Sequence, residues 1–456
     1  MSLTPPAPTD PAERLRIEHQ RLRWRLLYGQ HEADVRRRLK QKLSRVRTEA
    51  IGPPDLTSNP FLAIWQQAAV SYREEPLIRT PEGGSDDVAE MLADLGWWQL
   101  AQRLQRDTLG LRNMLVRIDF DEDEGLSAIP VPPFLCSVVT HPRFPMRALA
   151  VSEWRTDPDD EKKWVKYCYD PRIPAYWVEN ADGEDVSERV LGGWFGGDNY
   201  PWFGPSRDGR TEAVLPWVSY RAAATPTYWD AFTGREAVEG TLQVCTHMSF
   251  YDHILRNASW AQRYVIGATP RGQKSEEDGE MVEVEADPSI LIELEAHENA
   301  VGPPQVGQWS PPVDPVAVLR AIQSYERRLV DMALGSANVS RANSDVRSGY
   351  SLAVQREDQR LLQKSYEPVF RRSDLDLIGK VSQLLGGPKT GWRIEYAGVP
   401  KSPQELSAEM QRISDQLAAG LLDRITAYQQ LHPGLTKAEA TLEVEEIDRI
   451  NSQFAA

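Results

Sequence analysis

The sequence predicts an α+β protein, and three observations carry that prediction. Helical spacing of apolar residues dominates both ends of the 456-residue chain. Between Asn113 and Trp229 the texture changes to short β-branched and aromatic runs separated by turn residues. After that, unusually long helical patterns return, interrupted by an acidic, proline-bounded insert. A chain of this length can bury large cores and form two or more structural units.

Residues 1–10 hold three prolines among the first eight and are expected to be a disordered arm. Thr9-Asp10-Pro11 supplies a capping residue followed by proline at a helix start. Leu15, Leu22, Leu26 and Leu39 give the following Arg-rich helix its apolar positions, with a break near Gly29. Pro11 to Ala50 carries twelve Lys+Arg against five Asp+Glu, a local +7, leaving −22 for the rest of a chain whose net charge is −15. The commoner reading of such a run is a solvated helix face. Further helices are expected over Asn59–Tyr72 and Asp86–Arg106, with Phe61, Ile64, Trp65, Met91, Leu95 and Trp98 at helical spacing.

In the β region, Met114–Ile118, Phe134–Val139, Ala148–Val151, Trp164–Tyr167 and Ala175–Val178 read as strands. The tryptophans concentrated here predict a sheet packed on another layer. Val214–Tyr220 closes the region and contains Leu215-Pro216-Trp217. A helix is expected from Arg235 to Val265, with Val238, Leu242, Cys245, Met248, Tyr251 and Leu255 as its stripe, roughly 45 Å long. Turns and acidic strands follow, Glu280–Glu285 and Ile290–Glu295 among them. Asp314-Pro315 restarts a helix bearing Leu319, Ile322, Leu329 and Met332. Gly335–Ser348 is a small, polar segment, and Gly349 opens a long charged helix that Pro368 should kink. That helix carries Leu352, Leu361, Leu362, Tyr366 and Val369, then Leu375, Ile378, Val381 and Leu385. Trp392–Tyr396 reads as a strand returning to the sheet region. Ser402-Pro403-Gln404-Glu405 is a capping box opening a terminal helical unit with the stripe Leu406, Met410, Ile413, Leu417, Leu421.

Chemistry-bearing motifs are scarce. Asp119–Gly125 has acidic residues like a calcium loop, but its glycine comes one place late and Pro130 stands where the closing glutamate belongs, so it reads as an acidic turn. Gly192–Gly197 lacks the Lys-Ser/Thr of a phosphate cradle. His247 and His253 are six apart, off the spacing of a helical zinc pair. Asp252 beside His253 has no nucleophile in reach. Cys136, Cys168 and Cys245 form no metal or disulfide framework and read as buried small hydrophobes in a reducing cytoplasm. The expectation is no enzyme, no cofactor and no metal. No apolar run is long enough to span a bilayer, and the first residues lack a signal peptide's basic and apolar parts.

A segment as long and polar as Gly335–Ser348 is usually functional and must face water or a polar partner. Its position between two helices, the Leu215-Pro216-Trp217 strand before the first long helix, and the Ala419-Gly420 and Pro433-Gly434-Leu435-Thr436 elements near the end resemble the portal proteins of tailed bacteriophages and gene-transfer agents. The resemblance is one of organisation and covers most of the chain in order. It implies a portal-type subunit with long channel helices, a mixed α/β wing, a small α/β clip and a helical carboxyl-terminal crown, assembled as a ring. Mapped onto this chain, the wing spans 11–234, the first stem helix 235–266, the clip 267–313, the second stem helix 314–334 and the tunnel loop 335–348. A long wing helix and return strand span 349–400, and the crown 401–456.

By the same resemblance Asn338, Arg341, Asn343 and Arg347 face double-stranded DNA that passes non-specifically. The homo-oligomer is expected to be a dodecamer at one capsid vertex, assembled in the host cytoplasm. Its expected partners are the terminase large subunit, a head–tail adaptor and the major capsid protein, with no membrane. Twelve copies would carry on the order of −180, which discourages DNA from sticking during translocation. The alternative is another structural head or connector protein of a phage-like particle without a DNA channel. A packaging ATPase is disfavoured because the phosphate-binding motif is missing.

Overall fold

The structure is a computed structural model that describes residues 5–81, 86–121, 125–192, 200–206, 210–259, 262–266, 268–270, 294–296, 305–309, 314–334, 349–397, 403–432 and 437–454. In chain order come helices α1 (Pro11–Leu27), α2 (Glu32–Lys42), α3 (Arg45–Ile51) and α4 (Pro60–Ala68), strand β1 (Leu77–Arg79), then α5 (Asp87–Asp94) and α6 (Trp97–Leu111). Strands β2 (Asn113–Asp121), β3 (Gly125–Val131), β4 (Cys136–His141), β5 (Phe144–Asp157), β6 (Asp160–Asp170) and β7 (Ala175–Glu179) follow. Next are α7 (Ser187–Leu191), β8 (Phe203–Pro205), β9 (Thr211–Ala213) and β10 (Trp217–Arg221). Helix α8 (Arg235–Ser259) leads into β11 (Gln262–Ile266), β12 (Ala268–Pro270), β13 (Leu294–Ala296) and β14 (Gln305–Trp309), then α9 (Pro315–Leu334). Last come α10 (Gly349–Leu384), β15 (Arg393–Glu395), α11 (Pro403–Ala418), α12 (Arg424–Leu431) and α13 (Lys437–Phe454). The mixture of helices and antiparallel strands is α+β, as the sequence predicts. Among the described residues no helix is long and apolar enough to cross a membrane.

The chain forms two compact units. One gathers Met1–Leu27, Leu62–Gly234 and Leu334–Ala456; the other gathers Tyr28–Phe61 and Arg235–Ala333. The first unit is built on two antiparallel sheets, β10-β2-β3 and β4-β5-β6-β7. Leu115, Val131 and Trp217 from the first and Val151, Val165, Tyr169 and Val178 from the second share one core with Tyr200 and Trp202. Tyr169 lies 4.9 Å from Tyr176, 5.2 Å from Trp202 and 5.4 Å from Trp217 between ring centroids. This is the aromatic layer that the tryptophan-rich texture predicts. At the ends of the acidic Asp119–Gly125 run, Asp121 pairs with Gly125, and β3, absent from the sequence reading, lies antiparallel to β2.

Asp10 caps α1 as expected, its Oδ1 accepting the Ala12 N–H at 3.0 Å. The buried face of α1 differs from expectation. It holds Arg16, Gln20 and Arg23, while Leu15 is half exposed. Arg16 donates to the Pro133 and Cys136 carbonyls at 2.9 and 3.0 Å and stacks 4.1 Å above the Trp229 ring. Arg23 donates to the Gly110 and Thr233 carbonyls at 2.9 and 2.6 Å. These cations are therefore struts, and the solvated-face reading fails for them. It holds for Arg36 and Arg45, which pair with Glu32 and Glu49 one turn away and stay exposed.

Three helix boundaries also move. The helix beginning at Pro60 stops at Ala68 because the Ser71 N–H donates to Gln105 Oε1 at 3.0 Å, and Gln105 Nε2 donates back to Ser71 Oγ at 2.9 Å. The predicted Asp86–Arg106 helix is broken by Gly96, whose φ of +59° suits a residue without Cβ. The break turns Trp97 and Trp98 inward and leaves Leu95 exposed. The predicted Arg235–Val265 helix ends at Ser259, and Tyr264-Val265-Ile266 pair with Val306-Gly307 and Gln305 as strand. A β-branched and aromatic run favours the pleated surface over another helical turn.

Helix α10 runs 36 residues with Pro368 inside it. Its second half lies on β10, where Ser373 Oγ donates to the Ser219 carbonyl at 3.0 Å and Lys380 Nζ to the Trp217 carbonyl at 2.5 Å. Phe370, Leu377, Ile378 and Val381 are fully buried, whereas Leu385 is exposed. Strand β15 is present but pairs with β1, Ile394 opposite Ile78, and not with the larger sheets. In the terminal helices Asp423 caps α12 by accepting the Thr426 N–H at 2.5 Å, and Arg424 grips Asp448 at 2.7 and 3.0 Å. Ile413 is buried there, but Met410 and Leu421 are 59% and 79% exposed, so the predicted α11 stripe is only partly covered. Ser402, the proposed cap, lies outside the described residues.

Candidate functional site

The polar segment 335–348, with Asn338, Arg341, Asn343 and Arg347, lies outside the described residues, as do 193–199 of the glycine-rich run and most of 267–313. What is described is the helical frame that precedes the polar segment. Asp314 starts α9 as its sequence predicts, Oδ1 accepting the Val316 N–H at 2.9 Å. The intervening chain forms two antiparallel ladders, β11 with β14 and β12 with β13. Among the described residues the order from α8 to α9 is thus helix, paired strands, helix.

Helices α8 and α9 meet at Gly240. A Cβ there would stand 2.5 Å from Leu329 Cδ1 and 2.7 Å from Cδ2, so any larger residue would have to displace the Leu329 side chain. Ala237, Val238, Thr241, Leu242, Val244, Cys245 and Thr246 are buried along the same stretch of α8, and Ile322 and Leu329 are buried on α9. The stripe Val238, Leu242, Cys245 was legible; beyond it Leu255 and Met332 are exposed.

The segment 28–61 braces α8. Arg38 Nη1 donates to Glu239 at 2.6 Å and Nη2 to Gln243 at 3.1 Å, while Lys42 Nζ donates to Gln243 at 2.8 Å. The Asp55 N–H donates to Ser249 Oγ at 2.9 Å. Cys245 Sγ donates to the Ser58 carbonyl at 3.3 Å and lies 3.5 Å from His31 Nε2. Together Arg38, Glu236, Glu239, Gly240, Gln243, Tyr325, Arg328, Leu329 and Met332 line a surface cleft of about 430 Å³. No local sequence signal points to it, since Arg38 and Glu239 are 201 residues apart.

The geometry does not assemble a reaction centre from the flagged residues. Burial pushes the Cys245 thiol up to about 12, so the Cys245–His31 contact holds no thiolate at neutral pH. Burial, then Lys42 and Arg38, lower the His247 pKa and keep its imidazole neutral. Its ring sits against Gln243 and 6.3 Å from the Tyr325 ring. Asp252 pairs with Arg256 at 3.0 Å. Cys136, Cys168 and Cys245 are free and buried, as their spacing suggests. Among the described residues no group of three His, Cys, Asp or Glu is placed to hold a metal. The chain matches no protein-family model and no curated protein.

Proposed function

We propose that this chain is a portal-type subunit, a ring-forming head-to-tail connector through which DNA enters and leaves a capsid at one vertex. The observation that carries the reading is the order α8, strand-paired arm, α9, polar segment, α10. A two-helix stem bearing a small β arm, followed by a solvent-compatible segment and a 36-residue helix, suits a subunit that presents a polar loop to a passing polymer. The acidic net charge of −15 per chain supports a channel that DNA passes without adhering. In this reading Arg341 and Arg347 make brief, screened phosphate contacts and Asn338 and Asn343 keep the loop wet. The arm docks the terminase large subunit and later the head–tail adaptor, the ring meets the major capsid protein, and the ring is dodecameric.

Replacing Asn338, Val339 and Asn343 together with leucine tests the loop assignment. Ring assembly should be unchanged by sizing chromatography, while the DNA content of assembled heads falls. Normal packaging by fully assembled variant rings would remove the loop from the DNA path.

A further inference from the structure

Asp374 of α10 is completely buried, and its hydrogen-bond partners are three phenols from three distant segments. Tyr72, after α4, donates to Oδ2 at 2.6 Å; Tyr220, on β10, donates to Oδ1 at 2.7 Å; Tyr396, just after β15, donates to Oδ2. Trp98 stacks on Tyr72, Phe370 lies edge-on to Tyr72 and tilted against Tyr220, and Trp97 flanks Tyr220. Among the described residues the cage is aromatic and contains no cation. Arg371 reaches Tyr396 only through its field, and Asp376 likewise acts on Tyr220. From the neighbouring strands, Arg221 is turned to Met146 and Tyr228, and Glu395 pairs with Arg79 at 2.9 Å. A charge so placed has hydrogen bonds but no counter-ion, so desolvation opposes ionisation.

We propose that Asp374 and the hydroxyls of Tyr72, Tyr220 and Tyr396 form a proton-operated clamp that fastens α10 to β10 and to the segments at Tyr72 and Tyr396, and that grips most tightly with Asp374 neutral. A phenol both donates and accepts, so each state can be satisfied. With Asp374 ionised, three O–H groups converge on two oxygens, two of them crowding Oδ2. With Asp374 protonated at Oδ2, its O–H donates to Tyr396, the only one of the three phenols that is not buried. Tyr396 then turns its own hydrogen away while Tyr72 and Tyr220 continue to donate. Neutralisation thus removes the uncompensated charge without orphaning a buried group.

Desolvation by burial raises the Asp374 pKa to about 6 from 3.8, against the three phenol bonds, which lower it. The folded cluster therefore binds its proton on the order of a hundredfold more tightly than an unfolded chain does. For a carboxyl raised on folding, the stabilisation is fully present below the unfolded value and disappears as pH rises through about 6.

The test compares the full-length protein with Asp374→Asn in urea unfolding at fixed protein concentration, from about pH 7.5 to about pH 5. Asparagine keeps the shape and carries no charge. The folded-to-unfolded ratio of wild type relative to the variant should rise about tenfold over that interval. In parallel, the near-ultraviolet difference spectrum of the phenols in wild type should titrate near pH 6. Tyr396→Phe, with one donor fewer, should move that titration upward. A ratio that is constant, or that falls as pH falls, overturns the clamp. If Asp374→Asn does not fold, the wild-type and Tyr396→Phe spectra decide, and a phenol signal that is flat across the interval refutes the proposal.

Discussion

Glu153→Ala should lower the free energy of unfolding by about 3–5 kcal/mol, the loss expected when a buried ion pair is broken from one side. Glu153 stands on β5 and Arg117 on β2, so their 2.5 Å bond links the two sheets of the larger unit. Arg155 donates to the same carboxylate oxygen at 2.7 Å and to Tyr169 Oη at 2.5 Å, and covers the Tyr167 ring at 4.1 Å. Glu153 and Arg117 side chains are 7% and 10% exposed, so the alanine leaves two cations sharing one poorly solvated site. Arg117 keeps Asp119 at 2.5 Å, which places the loss inside that range and not above it. Glu153→Gln retains an acceptor and should lose less. Removing the exposed Lys163, which meets Asp160 at 3.4 Å, should change stability by no more than about 0.5 kcal/mol. Urea midpoints for the three variants check the order; an alanine variant within about 1 kcal/mol of wild type would show that the cluster is dispensable.

Gly240→Leu should destabilise the unit built on α8 and α9. Replacing a helical glycine gains about 1 kcal/mol of propensity, but forcing side-chain atoms onto the buried Leu329 costs about 1–3 kcal/mol and sometimes more. The net expectation is a loss of up to about 2 kcal/mol, read as a fall in melting temperature. Leu329→Ala alone opens a cavity and should also destabilise. Combined, the two substitutions exchange large for small across the contact, so the double variant should be more stable than the sum of single losses predicts by about 0.5–3 kcal/mol. Strict additivity would mean that the helices do not meet at this point.

Local rules carried much of the fold. Asp10-Pro11 and Asp314-Pro315 each start a helix because a cap and a first-turn proline act within a few residues. The strands around Met114, Ala148, Trp164 and Ala175 are where their side chains suggest. What escaped is what depends on distant partners. Nothing near Arg16 or Arg23 announces that both are buried, because the carbonyls they satisfy arrive 87 to 210 residues later. Tyr72 and Asp374 are 302 residues apart and Tyr220 and Asp374 154 apart, so each tyrosine looks like an ordinary core aromatic. The end of α8 was missed for a similar reason: Tyr264-Val265-Ile266 pair with Gln305-Val306-Gly307, a partner that no neighbouring residue announces. At the candidate site the helices and the cap at Asp314 were legible, whereas the Gly240–Leu329 contact and the Arg38 brace required the tertiary structure.

Electron microscopy of the purified protein in negative stain tests the proposed ring and its channel. Single particles viewed end-on should show closed rings with rotational symmetry near twelvefold and a central opening, accompanied by sizing-column elution of an assembly of that size. Particles that remain single chains or small closed oligomers without an axial opening, at every protein concentration, would contradict the portal reading.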